Sequence, residues 1–145
     1  MHILFKNKKI NFNYHIQERI EAGIELKGFE VKSLVVANAT IDQAFIIFKQ
    51  GECWIINMHI APYNLATNVK VDPDRNRKLL LHKNEVIKLE QKIKKEHLAC
   101  VPSIVYLKNN KIKVEICLCK SKNKSDKRED IKTRDAQREI KRYSN

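Results

Sequence analysis

The clearest pattern lies in residues 103–119, SIVYLKNNKIKVEICLC. Ile104 and Tyr106, then Ile112, Val114, Ile116 and Leu118, alternate with polar positions on either side of Asn109-Asn110. That period of two predicts a hairpin with one covered face, turning at the asparagines. Residues 44–57, AFIIFKQGECWIIN, predict a second hairpin around Gln50-Gly51. Residues 14–26, YHIQERIEAGIEL, mix alternation with Gly23 and predict a bent or bulged strand. In residues 28–41, Phe29, Leu34 and Val31 make a short helix face that ends near Asn38 and Ala39. Residues 78–97 place Leu79, Val86, Leu89 and Ile93 at helical spacing, and the later part predicts an amphipathic helix with lysines outside. Between these, a Pro-punctuated loop covers residues 61–76.

Five or six antiparallel strands with one or two helices predict a mainly β fold. A small barrel, closed or nearly closed, covers its own sheet edges, and an open α+β sandwich is the competing arrangement. Three segments are expected: a basic leader at 1–13, a β domain at 14–119, and a basic tail at 120–145. The tail carries ten basic and five acidic residues between Lys120 and Arg142, with a thin apolar stripe of Ile131, Ala136, Ile140 and Tyr143. Asp130 and Arg134 have helix-supporting i,i+4 spacing. So little apolar area predicts a tail disordered when free and helical on an anionic surface.

Charge narrows the function. The 145 residues hold 29 Lys plus Arg against 17 Asp plus Glu, a formal net charge of +12. That excess selects a polyanionic partner. No apolar run approaches the roughly 18 residues of a membrane span, and MHILFKNKKINFN lacks the order of a secretory signal, so the expected location is the cytoplasm. Cys53, Cys100, Cys117 and Cys119 have no second pair at zinc-ligand spacing and are read as small apolar residues in strands.

Catalytic constellations are missing from the sequence. His2, His15, His59, His82 and His97 form no metal-ligand pair, and three glycines are too few for a phosphate-cradling loop. Asp72 and Asp74, in VDPDRNRK, are the one pair that could hold hydrated magnesium. A turn set by Asp72-Pro73, with carboxylates restraining Arg75 and Arg77, is the simpler reading. No enzyme activity and no cofactor are expected.

The RNA-facing candidates are Arg75, Arg77 and Lys78, which crowd beside a loop, and Lys111 and Lys113, which flank the last hairpin. Guanidinium and ammonium groups bind phosphate, and guanidinium also stacks on unpaired bases. An ordinary solvated charge run is the alternative for both patches. Glu21 reads from the residues alone as a surface carboxylate, although it could accept from a guanine edge or a 2'-hydroxyl. Trp54 and Tyr106 lie in apolar runs and read as core, and His59 reads as a hydrogen-bonded structural histidine.

Five segments together resemble one family: EAGIELKGFEVKSL at 21–34, INMHIAPY at 56–63, DPDRNRKLLLHKNE at 72–85, KVEICL at 113–118 and DKREDIKTRDAQREIKR at 126–142. They match, in order and spacing, the small protein B or SsrA-binding (SmpB) family. The resemblance implies an oligonucleotide-binding-like antiparallel β-barrel with peripheral helices and a flexible basic tail. It implies binding to the tRNA-like domain of transfer-messenger RNA (tmRNA), rescue of stalled ribosomes, and a delivery complex with elongation factor Tu. A structural ribosomal protein or general RNA chaperone would share the basic barrel and tail.

Carried over by motif position, Glu21, Leu80 and Lys113 should contact the tRNA-like domain. Lys122, Asp126, Lys127 and Arg128 should lie near the decoding centre. The helix from Ile131 onward, with Lys132, Arg134 and Arg138, should follow the vacant mRNA path. The sequence departs from the family before that tail, where Ser121 stands for a glycine and Ser125 for a His or Tyr. Lys124 compensates there in charge but not in stacking.

Overall fold

The computed structural model describes residues 2–62 and 72–122. In chain order it contains β1 (His2–Lys6), α1 (Ile10–Asn13), β2 (Tyr14–Ile24), α2 (Gly28–Val35), β3 (Ala39–Thr40), β4 (Phe45–Lys49), β5 (Glu52–Ile56), β6 (His59–Ile60), β7 (Arg77–Leu80), α3 (Lys83–Glu96), β8 (Ala99–Lys108) and β9 (Lys111–Ser121). Seven strands form one antiparallel sheet in the order β1-β8-β9-β2-β7-β5-β4, and β3 pairs with β6 beside it. The fold is mainly β with peripheral helices, in keeping with an OB-like arrangement. Among the described residues the ladder stays open, because no hydrogen-bonded pairing joins β4 to β8.

Both expected hairpins form. Their turn residues, Gln50 and Gly51 (φ 53° and 76°) and Asn109 and Asn110 (φ 52° and 64°), all occupy the left-handed region. Two such residues in succession match the twist of the flanking strands, and Gly and Asn accept that backbone most readily. Inside the curled sheet, Ala22, Ile46, Ile55, Leu79, Val105 and Val114 pack with Leu34 of α2 and with Val86 and Leu89 of α3. Each large side chain so buried contributes about 1.5–3 kcal/mol.

Three local readings differ from the structure. Residues 2–13 are not a plain polar leader: β1 adds to the outer edge of β8, and Ile10 is buried against Val101, Cys117 and Cys119. Asn7 fastens this segment, its backbone N–H donating to Ser103 O (2.7 Å) and its amide to Pro102 O (3.1 Å), over the bulge between Pro102 and Ile104. Leu79 belongs to β7 rather than to the helix, which begins at Lys83. The irregularity in β2 lies between Ile16 and Glu18, not at Gly23.

Gly23 instead marks a change of partner. It lies opposite Lys113 of β9 on one side and Leu80 of β7 on the other. A Cβ at this position would stand 3.2 Å from the Leu80 Cβ, closer than ordinary packing, so the glycine lets β7 approach.

Candidate nucleic-acid interface

The three strands that meet at Gly23 build an open groove of about 430 Å³. Glu21 comes from β2, Lys113 from β9, and Lys78 and Leu80 from β7, with His82 and Glu85 at the start of α3. Residues spread over more than ninety positions are thus brought together by strand register alone. Leu80 is 51% exposed although it lies in a strand, so its isobutyl group faces the groove rather than the core. An apolar edge next to cationic and carboxylate groups suits a nucleotide, which offers a flat base, a polar edge and a phosphate.

Glu21 is held in place. Its Oε2 accepts from the Tyr106 hydroxyl and from Lys108 Nζ (3.3 Å). The Tyr106 hydrogen bond holds the Glu21 carboxyl below the usual carboxylate range, partial desolvation opposes this, and Lys108 and Lys113 reinforce it. The carboxylate is therefore a charged acceptor at neutral pH. Lys113 and Lys111 also border a neighbouring groove of about 560 Å³, which Leu80 and Val31 and Val35 of α2 line as well. Lys78 donates to Glu52 Oε1 at 3.4 Å, and both side chains are well exposed. That pair is weak and open to exchange for phosphate.

Arg77 is not one of the RNA-facing cations expected from the sequence. It is fully buried and cannot touch RNA. Its Nε donates to Glu30 Oε2 (2.6 Å), its Nη1 to the carbonyls of Met58 (2.6 Å) and Arg75 (3.1 Å), and its Nη2 to Pro73 O (3.0 Å). Arg75 is mostly covered and engages the same carboxylate through Nε (3.1 Å) and Nη2 (2.5 Å). The restraining carboxylate is Glu30, not Asp72 or Asp74. Glu30 is a functional residue that the sequence reading misses; the available signal is its place with Ser33 and Leu34 on one face of a short helix.

Asp72 does set the turn, its Oδ1 accepting the Asp74 N–H (2.9 Å), while Asp74 pairs with His59 Nδ1 (2.9 Å). Among the described residues, no group of three or more His, Cys, Asp or Glu could hold a metal ion. All four cysteines are buried free thiols in strands, and burial pushes Cys53 and Cys119 up to about 12. Trp54 is only half-buried, on the outer face of β5, whereas Tyr106 is 3% exposed. Of the tail positions, Lys122 is described, its N–H donating to Asn13 O (2.8 Å). Lys124, Asp126, Lys127, Arg128, Lys132, Arg134 and Arg138 lie outside the described residues.

The family model described as SmpB protein matches residues 4–145. The chain belongs to the SmpB family. The SsrA-binding protein of Malacoplasma penetrans (strain HF-2) is 55% identical over 143 residues, covering 99% of this chain and 98% of that relative. The SsrA-binding protein of Ureaplasma parvum serovar 3 (strain ATCC 27815 / 27 / NCTC 11736) is 45% identical over 141 residues, covering 97% and 100%. A chain of the solved structure described as "tmRNA-SmpB: a journey to the center of the bacterial ribosome" superposes with a TM-score of 0.69. It is 38% identical, covering 88% of this chain and 93% of that one. The groove beside Gly23 brings together Glu21, Leu80 and Lys113, the three residues expected from the sequence resemblance to contact RNA.

Proposed function

We propose that this chain is a tmRNA-binding adaptor of trans-translation, an RNA-binding protein and not an enzyme. The observation that carries the reading is the meeting of Glu21, Leu80 and Lys113 in one open groove of an SmpB-family chain. In this reading the groove receives the tRNA-like domain. Lys113 and Lys78 neutralise phosphate, Leu80 lies against a base or sugar, and Glu21 accepts from a guanine edge or a 2'-hydroxyl. The curled sheet acts as an OB-like barrel in which β4 faces the start of β8, the part that β1 leaves unpaired.

The tail serves the ribosome. Lys122, Lys124, Asp126, Lys127 and Arg128 engage the decoding centre, and Lys132, Arg134 and Arg138 follow the mRNA path. Ser125 removes a stacking contact there, so charge carries more of that engagement. Elongation factor Tu accompanies the adaptor during delivery, and the work is cytoplasmic. Among the described residues, no helix is long and apolar enough to cross a membrane.

The test is Lys113→Ala. Binding to the tRNA-like domain should weaken about tenfold, with the slope of log affinity against log salt falling by about 1. A loss equally small for every structured RNA would instead favour a general RNA chaperone.

A further inference from the structure

Tyr106 is buried as a residue, yet its hydroxyl reaches an exposed carboxylate. A buried phenol needs a partner for its hydroxyl, and here that partner is Glu21, 85 residues away in sequence. Register sets the arrangement: Tyr106 lies opposite Lys113, and Lys113 lies opposite Gly23, two residues from Glu21 on the same strand. Both donors, Tyr106 and Lys108, go to Oε2 of Glu21, and among the described residues no hydrogen bond is made to Oε1. Glutamate has three rotatable bonds, and an exposed one ordinarily samples many rotamers. Two donors on one oxygen restrict that freedom on a side chain that lines the groove, and leave the other oxygen without a hydrogen bond among the described residues.

We propose that Tyr106 is a positioning residue for RNA recognition: it fixes the Glu21 carboxylate so that Oε1 is presented, preorganised, to a hydrogen-bond donor of the bound RNA. This rests on the reading of Glu21 as an RNA contact. Neutral donors on RNA are the 2'-hydroxyl and the amino and imino groups of base edges, so the ligand group is one of these and not phosphate. Lys108 is half-exposed and its contact is the long one, at 3.3 Å, so the buried tyrosine supplies most of the restraint. Tyr106 need never touch RNA.

The experiment is a titration of the tRNA-like domain and an unrelated structured RNA of equal length against wild type, Glu21→Gln, Tyr106→Phe and the double variant. Thermal unfolding and carbon-13 detection of the Glu21 carboxyl run in parallel. Phenylalanine fills the same space, so folding should persist. Tyr106→Phe should weaken the tRNA-like domain about three- to tenfold, the scale of one freed side chain, and leave the unrelated RNA unchanged. The Glu21 carboxyl resonance should shift and titrate at higher pH. The double variant should be no weaker than Glu21→Gln alone, because the hydroxyl acts only through that carboxylate. If Glu21→Gln weakens binding while Tyr106→Phe does not, the positioning role is overturned and the Glu21 contact stands. If neither variant changes affinity, both are overturned. If additive losses appear, Tyr106 does not act through Glu21 and the proposal fails.

Discussion

Arg77 and Glu30 form an ion pair in the interior, with Nε and Oε2 2.6 Å apart and neither side chain more than 1% exposed. The pair ties β7 to α2, and carbonyls of Met58, Pro73 and Arg75 complete the guanidinium's hydrogen bonds. Leu80, three residues along β7, then emerges in the groove. A charge with the sequence context of a surface cation instead holds the strand that presents Lys78 and Leu80 to the groove.

Arg77→Met should destabilise the domain by about 3–5 kcal/mol, because it strands the Glu30 carboxylate in the interior. Urea unfolding measures it. Changing Glu30 to Met as well should recover part of the loss.

The same pair sets an acid limit. Burial disfavours the Glu30 charge, but hydrogen bonds from Arg75, the Lys27 N–H and Arg77 outweigh it and hold the carboxyl below its ordinary value. A carboxyl with a lower pKa in the folded chain contributes its full stability above the unfolded value of about 4.3 and loses it as pH falls through the folded value. Stability should therefore drop in that acid window, and Glu30→Gln should be less stable at neutral pH with a flatter profile there.

Part of this was legible in sequence and part was not. The hairpins of β4 with β5 and of β8 with β9 are local: alternation and turn residues lie within a few positions of each other. The leader's order depends on Ile10 meeting Val101 and Cys117, contacts about a hundred residues away that no local pattern encodes. Arg75 and Arg77 looked like a surface patch because their partner, Glu30, lies 45 and 47 residues earlier. Leu80 has the sequence context of a core residue, and only the family resemblance pointed to its exposed role.

Gly23→Ala tests the junction itself. The new Cβ would press on Leu80 from 3.2 Å and displace it by a few tenths of an ångström. Stability should change by about 1 kcal/mol or less, since the gain in chain stiffness offsets the crowding. Affinity for the tRNA-like domain should fall about fivefold. Thermal unfolding and a binding titration on the same sample separate the two effects.

The tail should be separable from the groove. Lys127→Ala with Arg128→Ala should leave affinity for the isolated tRNA-like domain within about twofold, a change near the noise of 0.4 kcal/mol. The same variant should lose ribosome rescue in a reconstituted translation assay. A large loss of affinity would place these residues on the RNA instead.

The central claim is tested most directly by titrating the purified protein against the tRNA-like domain of tmRNA at physiological salt, with an equal-length unrelated structured RNA as control. Recognition through the groove predicts at least a hundredfold preference, about 2.7 kcal/mol. Equal affinities that fall together as salt rises would contradict it and leave a generic basic RNA binder.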